Sequence, residues 1–148
     1  GALSLAQTLL QSPNLCVLNG DSYCDVNFEK LFTFHCVRQA DVTQVVVEQG
    51  DTSRYGSVAV EDDGRVVQFV EKGQTSGAGW INAGVYLLRR ELLSSLAANT
   101  NISLERELFP RWLSKRFYAF PADPELFIDI GTPQSFAQAQ KLFERRVS

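Results

Sequence analysis

The sequence is poor in the residues that build metal or disulfide scaffolds. Its three cysteines, Cys16, Cys24 and Cys36, are odd in number, and their spacing matches no zinc site. They read as reduced side chains acting as small apolar fillers. The single histidine, His35, is expected on the exposed or half-buried side of a helix, not as a ligand or base. No apolar run approaches the roughly 20 residues of a membrane span. The amino terminus carries no charged leader or signal-peptide core, so a cytoplasmic protein with no membrane partner is expected. A basic stripe is also missing: 14 Lys and Arg face 17 Asp and Glu, a net charge of −3. No nucleic-acid partner is therefore expected, and overall charge would not draw in a phosphorylated ligand. A metal ion, a few placed lysines or backbone amides would have to do so. With 45% hydrophobic and 21% charged residues, the composition is that of a globular protein. Its 148 residues suit one domain, 1–148, long enough to bury about two thirds of its unfolded surface.

Along the chain, apolar runs alternate with helical patterns. Ala2 to Gln11 suits a helix, stopped by Ser12-Pro13-Asn14. Leu15 to Leu18 is apolar throughout and reads as a strand covered on both faces. Asp25 or Asn27 can cap a helix running to about Gln39, and Val42 to Glu48 is a second buried strand. Ser57 to Glu61 and Arg65 to Glu71, joined by Asp62-Asp63-Gly64, form a β-hairpin whose Asp-Gly pair supplies the positive φ of a tight turn. Gly73 to Gly79 is a loop, Ala83 to Leu88 a strand, and Glu91 to Ala98 a helix. Ser103 to Leu113 looks helical, with Pro110 a possible break near its end. Arg116 to Phe120 and Leu126 to Ile130 are strands. Thr132-Pro133 opens a last helix, with Phe136, Ala139, Gln140 and Phe143 along one face. The alternation argues for an α/β fold with a mixed, mostly parallel sheet, helices on both faces and one inserted hairpin. Three such strands plus a hairpin make a thin sheet.

In open α/β sheets, ligands bind beyond the carboxyl ends of strands. Two aspartates lie at such ends. Asp21 follows Leu15–Leu18 in Leu-Asn-Gly-Asp-Ser, and Asp129 closes Leu126–Ile130 in Phe-Ile-Asp-Ile-Gly-Thr-Pro. Each also has a plain explanation, Asp21 as part of an Asn-Gly-Asp turn and Asp129 as the cap of the Gly131–Thr132 turn. If the two strands are close, the aspartates could share one Mg²⁺, which commonly takes one or two protein carboxylates and leaves the rest to phosphates and water. Glu71-Lys72 ends the second hairpin strand, as a surface ion pair or as ligand contacts. Trp80-Ile-Asn-Ala-Gly, with Asn82 and Gly84, is either a strand-entry turn or a point of close backbone approach to a ligand. Glu105 and Glu107 read as the solvated face of a helix.

Taken in order, Leu-Asn-Gly-Asp-Ser, Arg-Tyr-Gly-Ser-Val, Asp-Gly-Arg-Val-Val-Gln-Phe-Val-Glu-Lys, Trp-Ile-Asn-Ala-Gly-Val-Tyr, Ser-Leu-Glu-Arg-Glu-Leu-Phe-Pro and Phe-Ile-Asp-Ile-Gly-Thr-Pro resemble sugar-1-phosphate nucleotidyltransferases, nearest the mannose- and heptose-1-phosphate guanylyltransferase branch. The resemblance covers essentially the whole chain. It implies a partial Rossmann-like fold and a reaction joining a nucleoside triphosphate to a sugar 1-phosphate, giving nucleotide-sugar and pyrophosphate. It also implies that Asp21 and Asp129 hold Mg²⁺, and that Glu71 and Lys72 hold the sugar and its phosphate. Asn82 and Gly84 would contact the sugar, and Gly20 would let backbone approach the sugar–nucleotide junction.

The family also begins with a strand, a Gly-Gly-x-Gly-Thr-Arg loop and a Pro-Lys, and these 148 residues contain no counterpart. The chain therefore resembles the carboxyl-terminal part of such a catalytic domain. Three readings stand: a fragment of a longer transferase, a non-catalytic remnant that binds sugar phosphate, nucleotide-sugar or a protein partner, or a chain completed in trans. All three imply little or no transferase activity from this polypeptide alone. A sheet edge and an apolar face left open imply a homo-oligomer.

Overall fold

The structure, a computed structural model, describes residues 2–70, 73–74, 76–96 and 102–147. Its spine is one long strand, β6 (Gly79–Arg89), built from an almost unbroken apolar run that is buried on both faces. Along one side of β6 runs β3 (Val42–Gln49), antiparallel. Along the other, β1 (Asn14–Leu18) pairs with its second half, from Leu18↔Val85 to Asn14↔Arg89. There β4 (Ser57–Val60) pairs with its first half at Ile81 and Trp80. The hairpin partner β5 (Val66–Val70) lies outside β4, and β7 (Phe117–Ala122) outside β3, giving the order β5-β4-β6-β3-β7 with β1 beside β6. A separate ribbon pairs β2 (Ser22–Cys24) with β8 (Phe127–Asp129).

The α/β class and the inserted hairpin are as expected. Gly64, at φ +86°, makes the hairpin turn. The expected mostly parallel pairing is not found: among the described strands, β3 with β7 is the one parallel pair, and the other strand pairs are antiparallel. The reason is topological. The run β1–helix–β3 does return in the same direction, but β6 inserts between β1 and β3 and opposes both. The strand–helix alternation therefore predicts direction correctly and neighbours incorrectly.

Side chains alternate between two cores, one on each face of the sheet. On one face α2 (Phe28–Val37) buries Leu31, and Phe34 meets Phe120 edge-on at 5.4 Å. Asn27 caps this helix, its Oδ1 accepting from the Lys30 N–H at 2.9 Å. On the other face, a short helix α3 (Phe109–Trp112) delivers Phe109 into an aromatic cluster with Tyr86, Phe117 and Phe69, with ring centroids 5.0, 5.3 and 5.6 Å away. Such pairs add about 0.5–1.5 kcal/mol each beyond burial. At the chain's end α4 (Pro133–Val147) starts at Thr132, whose Oγ1 accepts from Ser135 N–H. It buries Ala139 and sets Phe143 against Tyr23 at 4.8 Å.

Other expectations change. The first helix, α1 (Ala2–Ala6), stops short of Gln11. A 3₁₀ turn at Arg90–Ser95 replaces the helix expected over Glu91–Ala98, whose last residues lie outside the described ones. β1 is not covered on both faces: Leu15 is buried and Val17 half-buried on one, while Cys16 and Leu18 on the other are exposed, Leu18 at 58%. His35, expected at the surface, is 2% exposed, its Nδ1 2.8 Å from Thr43 Oγ1. Its side chain lies on the buried side of α2, facing β3.

Burial, then the positive charge of Arg89, lower the His35 pKa to about 4, against an opposing pull from Asp41. Between the ordinary histidine pKa near 6.5 and about 4, the unfolded chain binds a proton that the folded chain refuses. Stability is therefore expected to fall as pH drops through that window, by at most roughly 3 kcal/mol. Urea unfolding at pH 7 and pH 4.5 measures this, and His35→Gln should flatten the difference.

Candidate active site

The site begins where β1 ends. Leu18 is followed by the turn Asn19-Gly20-Asp21, which doubles back into β2. Two contacts hold the turn to the spine: Asn19 N–H donates to Gly84 O at 2.8 Å, and Ser22 Oγ donates to Ala83 O at 3.4 Å. Gly84 makes the approach possible. It sits at φ +75°, and a Cβ there would overlap Ser22 Oγ and press on Asn19. Its N–H is taken by Asn82 Oδ1 at 2.9 Å.

β2 then recruits the second aspartate. Ser22 pairs with Asp129, and Ile130 N–H donates to Asp21 O at 2.9 Å. Asp21 and Asp129 are thereby brought to one rim, and both border a cavity of about 660 Å³, within the roughly 300–1,000 Å³ usual for small-molecule sites. Asp129 also serves its turn, as its Oδ1 accepts from Gly131 N–H at 2.9 Å. The two explanations of Asp129 are compatible, because Oδ2 is not part of that bond. Among the described residues no cluster of three or more His, Cys, Asp or Glu forms a metal cage. Two carboxylates are nevertheless a common protein share for Mg²⁺ bound with phosphates and water.

Glu105 is exposed, as a solvated helix face requires, yet three polar side chains converge on it. Glu105 Oε1 accepts from Tyr86 OH at 2.6 Å, from Asn82 Nδ2 at 2.7 Å and from Asn19 Nδ2 at 3.3 Å. Burial, followed by the charge of Glu105 and the hydrogen bond to it, drives the Tyr86 pKa up, so the phenol keeps its proton and donates. Oε2 takes none of these bonds. Glu105 reaches this place through a π-helical turn at Leu104–Leu108, where Leu108 N–H bonds to Ser103 O and Phe109 N–H to Leu104 O, each five residues back. Pro110, without an N–H, follows directly, and Phe109 anchors the turn in the aromatic cluster. Turns of this kind are frequent at functional sites. A signal for Glu105 was present on β6: Asn82 and Tyr86 project from the same face, and both need partners when covered.

The remaining candidates separate. Asn82 borders the cavity and Gly84 is buried beneath the Asn19–Ser22 turn, supporting it. Gly20 is exposed, with no atom within 4 Å of where a Cβ would stand. Glu71 and Lys72 lie outside the described residues. Arg106, which the sequence did not single out, is exposed on the cavity wall.

A family model described as nucleotidyl transferase matches residues 1–146. The chain is 34% identical over 142 residues to D-glycero-alpha-D-manno-heptose 1-phosphate guanylyltransferase of Aneurinibacillus thermoaerophilus, covering 95% of the chain and 60% of the relative. It is 31% identical over 141 residues to mannose-1-phosphate guanylyltransferase of Mycobacterium tuberculosis, covering 93% and 39%. Crystal structures of HddC from Yersinia pseudotuberculosis, alone and with GMP-PN, superpose with TM-scores of 0.83 and 0.82 at 31% identity, over 96% of this chain and 60% of theirs. The chain thus spans 39 to 60% of the length of these relatives.

Because Gly84 combines positive φ with a close approach, Gly84→Ala is expected to destabilise by roughly 1–3 kcal/mol. That corresponds to a thermal midpoint lower by about 2–4 °C per kcal/mol, read by calorimetry. A midpoint unchanged from the parent would contradict this account of the turn.

Proposed function

The chain belongs to the nucleotidyl transferase family, and from that membership we propose that its cavity seats the sugar-phosphate side of a guanylyltransferase-type reaction. In that reaction an oxygen of the sugar 1-phosphate attacks the α-phosphorus of a nucleoside triphosphate, and the bond to pyrophosphate breaks. The observation that supports this most is that Asp21 and Asp129, distant in sequence, border one cavity across the β2–β8 pairing.

The chemistry asks little beyond positioning. A phosphate nucleophile needs no general base, so a chain whose one histidine is buried away in a core can serve. Asp21 and Asp129 are the residues that would hold Mg²⁺, which when bound supplies charge neutralisation and orientation of the phosphate oxygens. Asn82 is fixed by Glu105 and Tyr86 and offers the sugar a preorganised polar wall, on which Glu105 Oε2 remains a fixed acceptor for a hydroxyl. Arg106 adds positive charge at the wall. By family resemblance, Glu71 and Lys72 take the sugar and the attacking phosphate, Gly84 joins the sugar-contacting segment, and Gly20 gives room at the sugar–nucleotide junction.

A second reading is a non-catalytic module that binds sugar phosphate, nucleotide-sugar or a partner protein; the cavity bordered by Asp21, Asp129 and Asn82 suits binding without turnover as well. Both readings have this polypeptide binding ligand and, alone, turning over little or none. A cytoplasmic location accords with its free cysteines.

Calorimetric titration of the chain with mannose 1-phosphate and MgCl₂, beside a pyrophosphate-release assay with GTP, tests the proposal. Magnesium-dependent binding is expected, with pyrophosphate release near background. Asp129→Asn should weaken binding by at least about tenfold, since losing even an outer partner of a metal costs about 10–100-fold. Robust turnover by the chain alone would refute the expected inactivity, and binding indifferent to Asp129→Asn would refute the metal seat.

The edge of β1 away from β6, unpaired among the described strands, and the exposed Leu18, Phe28 and Phe32 support a homo-oligomer in which a second copy covers them. Sedimentation equilibrium should show a dimer or larger species, and a clean monomer at high concentration would exclude it.

A further inference from the structure

Among the described residues the buried side-chain atoms without a protein hydrogen-bond partner are His35 Nε2 and both polar atoms of the Gln44 carboxamide. His35 still bonds Thr43 through Nδ1, whereas the Gln44 amide has nothing. Gln44 lies on β3, its Cα opposite Tyr86 on β6 and Ala119 on β7, and its side chain is 0% exposed. Neither its amide nitrogen nor its amide oxygen has a protein hydrogen-bond partner. Buried side-chain polar atoms nearly always find partners, and one that does not asks for a reason. Leaving such an amide unmatched costs stability, and an apolar side chain of the same size would avoid that cost. Yet Gln44 contributes to the wall of the same cavity as Asp21, Asp129, Asn82 and Glu105. The β3–β6 register also shifts directly after it, between Gln44 and Val46. Such irregularities re-aim side chains beside functional sites.

We infer that Gln44 is a ligand-reading residue, whose dehydrated carboxamide is kept for a hydroxyl-bearing group of the bound sugar. The inference rests on the sugar-phosphate reading of the cavity and adds a specificity-determining residue to it. A carboxamide carries both an acceptor and a donor, so it suits a hydroxyl, which is also both. The amide is fully covered, so meeting a ligand requires the side chain to turn into the cavity it borders. Having already lost its water, it gives up none on binding, so the new hydrogen bond counts almost in full. A ligand lacking that hydroxyl leaves the amide unmatched, and this is how a buried polar group discriminates.

The decisive variants are Gln44→Leu and Gln44→Met, both apolar and close in size. Each is expected to raise the thermal midpoint by about 2–4 °C and to weaken mannose 1-phosphate binding, with Mg²⁺ present, by about tenfold. One of the monodeoxy mannose 1-phosphates should bind the parent about as weakly as mannose 1-phosphate binds the variants, and should lose nothing further in them. A lower midpoint in both variants would mean the amide is satisfied in the folded chain, by a buried water for example, and would overturn the inference. A raised midpoint with unchanged affinity would overturn it while leaving the sugar-phosphate reading intact. A parent chain that fails to bind mannose 1-phosphate at all would remove that reading and the inference together.

Discussion

The site depends on one close approach, that of the Asn19–Ser22 turn to the backbone of β6 at Gly84. The turn can sit there only because position 84 has no Cβ and tolerates a positive φ. Everything on the rim follows in sequence. With Asn19 bonded to Gly84 O, β2 leaves in the direction that pairs it with β8, and that pairing draws Asp129 to the side of Asp21. No ion pair joins Asp21 or Asp129 to a basic side chain among the described residues. The geometry is therefore maintained by backbone pairing and by packing under the turn, and it is ready to gain from a cation when one binds.

Glu105 shows the same economy from the other wall. Three donors on two elements converge on a single oxygen, so the carboxylate is held before any ligand arrives, and Tyr86 and Asn82 are oriented by the same bonds. Preorganisation of this kind matters most where the chemistry is positional. The π turn that carries Glu105 is held by Phe109 in the aromatic core and by Pro110 after it. The wall is thus tied to the aromatic core. Against this well-satisfied network the unmatched amide of Gln44 stands out. Both residues line the same cavity, so one part of its wall is satisfied in advance while another carries an amide with no protein partner.

Much of this was legible without coordinates. Apolar runs marked β1, β3, β6 and β7. Asp-Gly marked the hairpin turn, Asn27 and Thr132 marked helix starts, and the two aspartates at strand ends marked the rim. These are local features, set by dihedral preference, side-chain period and capping, and they are written in neighbouring residues. The segments that resemble the family are likewise short and contiguous, which is why family membership could be read from them.

What local pattern does not encode is which strands become neighbours. Strand direction follows from the connection, but the insertion of β6 between β1 and β3 is a long-range choice, and so is the packing of α2 on β3 that buries His35. The three-residue strand β2 has too little sequence to announce itself and exists because β8 is there to pair with it. Glu105 could not be told from Glu107 along a helix, since a π turn changes the register that decides which of these exposed carboxylates reaches Asn82 and Tyr86. The sequence by itself determined the elements, the turn chemistry and the identity of the acidic pair. Only the tertiary structure decided that this pair meets, that Glu105 joins it and that Gln44 is left unmatched, because each is a contact between residues far apart in the chain, arbitrated by packing and hydrogen-bond satisfaction rather than by propensity.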